Sequence, residues 1–219
     1  MNKENLKFVF FYPWVGKNYE KGINGKKILI LGESHICGGC QGQCGNLQIE
    51  DHTCRHMTDN VIMELISYKK GEGIKHKRWM NTLTKFSNVF ANKHLTTEEF
   101  VGFMDSILFY NYVQYSTDEA RISPTEEEFE CSKKAFFEVL TEYKPDLIIA
   151  FGDRLWRKLP HGGEYEKPKD FTLINDGKGL YYYTINNKKI PIMYIYHPSS
   201  SHFSYSTHDI IREALIKIR

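Results

Sequence analysis

Four short apolar runs, each ending in glycine or a polar residue, constrain this chain more than any other feature: 27–32 (KILILG), 107–114 (ILFYNYVQ), 146–152 (DLIIAFG) and 190–196 (IPIMYIY). They do not alternate apolar with polar, so they read as strands buried on both faces, the pattern of a parallel sheet covered by helices. Segments with helical spacing lie between the first three. Val61, Met63, Leu65, Ile66 and Tyr68 mark one helix, with Asp59 as its cap, and Trp79, Leu83, Phe86, Val89 and Phe90 mark another. A third starts at Thr125, which forms a capping box with Glu128, and runs through Phe129, Phe136, Phe137 and Leu140 to stop before Pro145. A last helix spans 207–218. Asn175-Asp176-Gly177, between two further apolar runs, predicts a hairpin ahead of the final core strand.

The chain has 219 residues and neither repeats nor a linker, so one domain is expected over 1–219, with a Cys/Gly-rich loop at 35–56. No run approaches the roughly 18 apolar residues that span a bilayer, and Met1-Asn2-Lys3-Glu4-Asn5 lacks the layout of a signal peptide. The expectation is a soluble, cytoplasmic protein with no membrane partner. Lys and Arg number 29 against 27 Asp and Glu, so any nucleic-acid footprint must be local. Lys69-Lys70, Lys75-His76-Lys77-Arg78 and Lys133-Lys134 are the basic clusters available for one.

Ligands of open parallel sheets sit outside the carboxyl ends of the strands. Here those ends deliver Gly32-Glu33-Ser34-His35, Asn111-Tyr112-Val113-Gln114, Gly152-Asp153-Arg154 and His197-Pro198-Ser199-Ser200-Ser201-His202.

In this order and spacing the chain resembles the uracil-DNA glycosylase superfamily. Leu29-Ile30-Leu31-Gly32-Glu33-Ser34-His35 is similar to its first motif, and Asn111 lies where the second strand presents a base-reading Asn. The stretch 121–128 (RISPTEEE), Cys131 and the strand ending at Gly152 resemble the iron-sulfur branch, and His197-Pro198-Ser199 looks like the closing His-Pro-Ser motif. The resemblance implies a three-layer α/β/α fold around a central four-stranded, mainly parallel sheet. It departs from the family at Ser34, where the best-known branch has the water-positioning Asp, and at His35, which replaces a Pro. Of the iron-sulfur cysteines only Cys131 has a counterpart, with Tyr115 in the place of another, so the cluster is not carried over.

The implied activity is hydrolysis of the N-glycosidic bond of uracil or a related damaged base in DNA, single- or double-stranded. Negative charge then builds on the departing ring, and His197 as a neutral donor suits it. One carboxamide carries both a donor and an acceptor, so Asn111 can read the Watson–Crick edge of uracil. Glu33, Ser34 and His35 form the corner that places water. Tyr110 and Tyr112 are candidates for a stacking face, Ser199, Ser200 and Arg154 for phosphate contacts, and Phe203 for an apolar wedge. Bland alternatives stand beside these: a simple turn at His197, a satisfied core amide at Asn111, a helix cap at Glu33, and core packing for the aromatics. The competing functional reading is a catalytically inactive member that binds nucleic acid, a nucleotide or a nucleobase.

Cys37, Cys40, Cys44 and Cys54 follow the first strand end, interleaved with glycines. Thiolates at this spacing can wrap a structural Zn²⁺; an iron-sulfur cluster or reduced cysteines in a substrate-covering loop are the alternatives. No cofactor is required for catalysis.

Overall fold

The computed structural model describes residues 3–37, 53–117, 119, 122–160, 165–166 and 180–218, the side chains of Glu4, Tyr165 and Glu166 excepted. The strands are β1 (Trp14–Val15), β2 (Ile28–Gly32), β3 (His35–Ile36), β4 (Ile107–Asn111), β5 (Ser116–Thr117), β6 (Leu147–Phe151), β7 (Tyr165–Glu166), β8 (Tyr181–Ile185) and β9 (Lys188–Ile195). The helices are α1 (Met57–Lys69), α2 (Met80–Phe90), α3 (Thr97–Asp105), α4 (Glu126–Cys131), α5 (Lys133–Tyr143), α6 (Asp153–Lys158) and α7 (Ser206–Lys217). The fold is mixed α/β around a mainly parallel sheet. Among the described residues no helix is long and apolar enough to cross a membrane.

The four apolar runs form the parallel centre, β4-β2-β6-β9. The sheet is wider than the expected four strands: among the described residues it has seven, in the order β1-β4-β2-β6-β9-β8-β7, with β1 antiparallel to β4 on one edge and β8 antiparallel to both β9 and β7 on the other. Every residue of β2, β4 and β6 is buried. Their alternate side chains enter two separate apolar clusters. Ile28, Ile30, Phe109, Ile149 and Ile195 pack with Ile62, Leu65, Phe86, Phe100 and Ile211 from α1, α2, α3 and α7. Leu29, Leu31, Tyr110, Ile148 and Ile192 pack with Phe129, Phe136, Val139 and Leu155 from α4, α5 and α6. A side-chain period of two thus sorts each strand onto both sets of helices.

Local chemistry explains most element boundaries. The capping box of Thr125 with Glu128 starts α4, and an unanticipated one, Thr96 with Glu99, starts α3. The single helix expected from Thr125 through Leu140 to just before Pro145 is divided at Ser132, whose hydroxyl donates to the Glu128 carbonyl (2.6 Å) and accepts the Gln114 N–H (2.9 Å). Asp59 is not a cap. It lies inside the first turn of α1 and pairs with Lys3 at 2.7 Å, while His56 holds the N-cap position without a side-chain capping bond. The hairpin expected at Asn175-Asp176-Gly177 lies outside the described residues; the observed hairpin joins β8 to β9 through Asn186-Asn187, both at positive φ (48° and 62°), as the tight turn between twisted strands requires.

Phe136 is fully buried and meets Tyr112 and Tyr183 edge-on at 5.3 and 5.4 Å. Phe136→Ala is expected to lower stability by about 3–5 kcal/mol, read from the urea midpoint at unchanged slope.

Candidate functional site at the strand ends

Strand order places the site. The chain steps from β2 to β4 on one side and later to β6 on the other, so a crevice opens outside the carboxyl ends where the loops after β2 and β6 part. Glu33 leaves β2 and Arg154 follows β6, and the two bridge that crevice. The Arg154 Nε–H donates to Glu33 Oε2 at 2.7 Å, Nη2 bonds the second carboxylate oxygen, and Nη1 bonds Ser123 Oγ. Glu33 is the more enclosed partner, its side chain 15% exposed against 50% for Arg154. Its backbone is fixed as well, because the Val113 N–H donates to the Glu33 carbonyl at 2.8 Å and extends the β2–β4 ladder past the strand end.

Asn111 ends β4 in register with Gly32. Its carboxamide lies across that glycine so closely that a Cβ on residue 32 would fall 2.1 Å from Asn111 Oδ1. Only glycine permits this placement. Asn111 is 7% exposed, and among the described residues its side chain has no hydrogen-bond partner. It is therefore not the internally satisfied core amide of the bland alternative: neither its donor nor its acceptor is taken up by a described residue.

His197 follows β9. The Ser199 backbone N–H donates to His197 Nδ1 at 3.1 Å, and Ser199 Oγ lies 2.7 Å from the same nitrogen. An N–H can only donate, so Nδ1 is the acceptor and the neutral ring carries its proton on Nε2. Desolvation holds the His197 pKa below its ordinary value; Glu33 raises it and Arg154 lowers it, which places the ring within the field of the ion pair. Gly152, at φ 90°, sits beneath the imidazole, where a Cβ would stand 3.4 Å from that of His197. The arrangement thus offers a neutral N–H donor at His197, a donor–acceptor amide at Asn111 and an ion pair between them.

Other sequence candidates lie elsewhere. His35 is buried (5% exposed), its Nε2 2.9 Å from Thr58 Oγ1 and its ring edge-on to Phe11 at 4.9 Å. It ties the loop after β2 to α1, and burial lowers its pKa to about 4. Ser34, half-buried, stands beside Glu33. Tyr110 and Tyr112 are core residues rather than an open stacking face: Tyr110 is fully enclosed in the α5-side cluster, and Tyr112 stacks on Phe129 at 6.1 Å. Phe203, cast as a wedge, is 2% exposed within the α2-side cluster. Ser200 sits in the turn after His197, its N–H donating to the His197 carbonyl at 2.8 Å. Arg154 is half exposed and is engaged by Glu33 and Ser123.

The basic clusters are held locally: Lys69 lies 5.2 Å over the Phe100 ring, Lys77 pairs with Glu64 at 2.5 Å, and Lys134 lies 5.7 Å over Phe8. Of the loop cysteines, Cys37 and Cys54 are half-buried, and Cys40 and Cys44 lie outside the described residues. Among the described residues no group of three or more His, Cys, Asp or Glu is placed to hold a metal ion. Sequence reasoning missed Ser123, the second partner of Arg154. Its only signal was a Ser before Pro124 at a helix entry, where serines ordinarily serve the backbone.

Two outcomes test this geometry. Gly32→Ala should cost about 1–3 kcal/mol in urea unfolding, because the new methyl must displace the Asn111 carboxamide. The depressed pKa of His35 means that the unfolded chain binds the extra proton first. Stability is therefore complete above pH 6.5 and falls as pH drops from 6.5 toward 4, by up to about 3 kcal/mol. His35→Gln should flatten that part of the thermal-midpoint profile. Compared with protein-family models the chain matches none, and no curated protein matches it.

Proposed function

We propose that the protein is a uracil-DNA glycosylase-like hydrolase that cleaves the N-glycosidic bond of uracil or a related base in DNA, on a three-layer α/β/α scaffold. The observation that carries this reading is the pairing of two differently suited groups on one rim. The Asn111 carboxamide has no partner among the described residues, and His197 is held as the Nε2–H tautomer by the Ser199 N–H. Asn111 reads the base edge with one donor and one acceptor. His197 donates to the carbonyl oxygen on which charge accumulates as the bond to the sugar breaks, and its lowered pKa keeps it a neutral donor below the ordinary histidine range. Counted across the strand order, β4 and β9 lie three inter-strand spacings apart, about 14 Å. The placement of apolar clusters on both sides of the sheet supports the layered scaffold.

A second reading, a base- or nucleotide-binding protein without hydrolysis, is favoured by one specific observation. Ser34 carries no charge, and the neighbouring carboxylate of Glu33 is committed to Arg154 rather than to a water.

The test is strand scission at abasic sites after incubation with uracil-containing oligonucleotides. Wild type should release the base. His197→Ala should lower kcat by about 10²–10³, as loss of an oxyanion donor does, and Asn111→Ala should remove discrimination of uracil from cytosine. Turnover unaffected by either substitution rejects the site; uracil-dependent binding without turnover selects the second reading.

A further inference from the structure

We propose that this site draws its base from single-stranded nucleic acid, and that a base adjacent to the target stacks on the exposed aromatic pair Tyr196–His202. The inference rests on the base-binding reading above and gives it a substrate form.

The turn after β9 doubles back so that the His202 ring lies against Tyr196, with centroids 5.3 Å apart and planes 35° from one another. The pair is built rather than incidental. Ser200 Oγ accepts the His202 N–H at 3.2 Å and lies 3.4 Å from His202 Nδ1, and the Ser200 N–H returns to the His197 carbonyl. Tyr196 is nevertheless 42% exposed, and His202 is exposed too. Tyr196 immediately precedes His197, so a base on this pair is one nucleotide's reach from the donor. Positive charge is supplied at the same turn, where the Lys85 ammonium donates to the Ser200 carbonyl at 3.4 Å and stands 5.3 Å over Phe203. Stacking rings beside a cation are the elements that hold single strands without regard to sequence.

The same turn is poorly equipped for a duplex. Proteins that open one insert an apolar side chain to fill the gap left by the extruded base, and extrusion costs pairing and stacking energy. Here Phe203 is turned into the core, and residues 199–202 are three serines and a histidine. Between residues 199 and 203 no side chain is both exposed and apolar. A strand whose bases are already unstacked needs no such wedge.

The measurement is fluorescence anisotropy, at one ionic strength, of a labelled uracil-containing 12-mer offered alone and annealed to its complement, with abasic-site formation followed in parallel. The wild type should bind the single strand at least about tenfold more tightly than the duplex. Tyr196→Ala should weaken single-strand binding about tenfold and leave duplex binding unchanged, while Tyr196→Phe should retain it. Circular dichroism confirms that the variants fold. Equal or tighter duplex binding, absence of binding to either form, or a Tyr196→Ala variant with wild-type affinity overturns the proposal. Strand-selective, Tyr196-dependent binding without base release leaves it standing and rejects hydrolysis; base release at equal rates from both forms does the reverse.

Discussion

Parallel pairing of β2, with β4 on one side and β6 on the other, is the constraint from which the remaining geometry follows. Because Gly32 is in register with Asn111, and Leu31 with Ala150, the three strands end at one level and their loops start from a common rim. Full burial of these strands makes that register stiff. Sliding any of them by one residue would move every side chain to the wrong set of helices. The rim groups therefore take their level from the apolar interior, and contacts such as Glu33–Arg154 are added to it.

On this rim the polar groups settle into a division of labour governed by solvation. Glu33, the more enclosed of the ion pair, requires a cation, and Arg154 satisfies it in a fork geometry that a lysine could not reproduce. That neutralisation leaves His197 between opposing influences, so its state is decided chiefly by loss of water around the ring. The Ser199 N–H then selects which nitrogen holds the proton. Position comes from the strands, and the lowered pKa of His197 chiefly from desolvation of its ring.

The sequence disclosed the strands because fully buried strands are long on apolar residues and short on ambiguity, and it disclosed the Thr125 capping box because capping chemistry is local. The rim residues could be ranked for the same reason: they follow directly on recognisable strands. The edges of the sheet were harder to read. The two-residue strands β1 and β7 carry no periodicity, and the Asn186-Asn187 turn lacks the glycine that usually marks such hairpins. Asp59, Tyr110 and Tyr112 show a different gap. Whether an aspartate caps or pairs, or a tyrosine lines a cleft or fills an interior, depends on neighbours far along the chain, here Lys3, Phe129 and Phe136. The Glu33–Arg154 bond spans 121 positions and leaves no local trace.

The two apolar clusters share no residue, for the sheet runs between them. Paired substitutions on opposite faces should consequently sum in their energetic effects, whereas pairs within one face should not. Descendants of this chain are thus free to drift in their two interiors separately, so long as the backbone ladder between them is preserved.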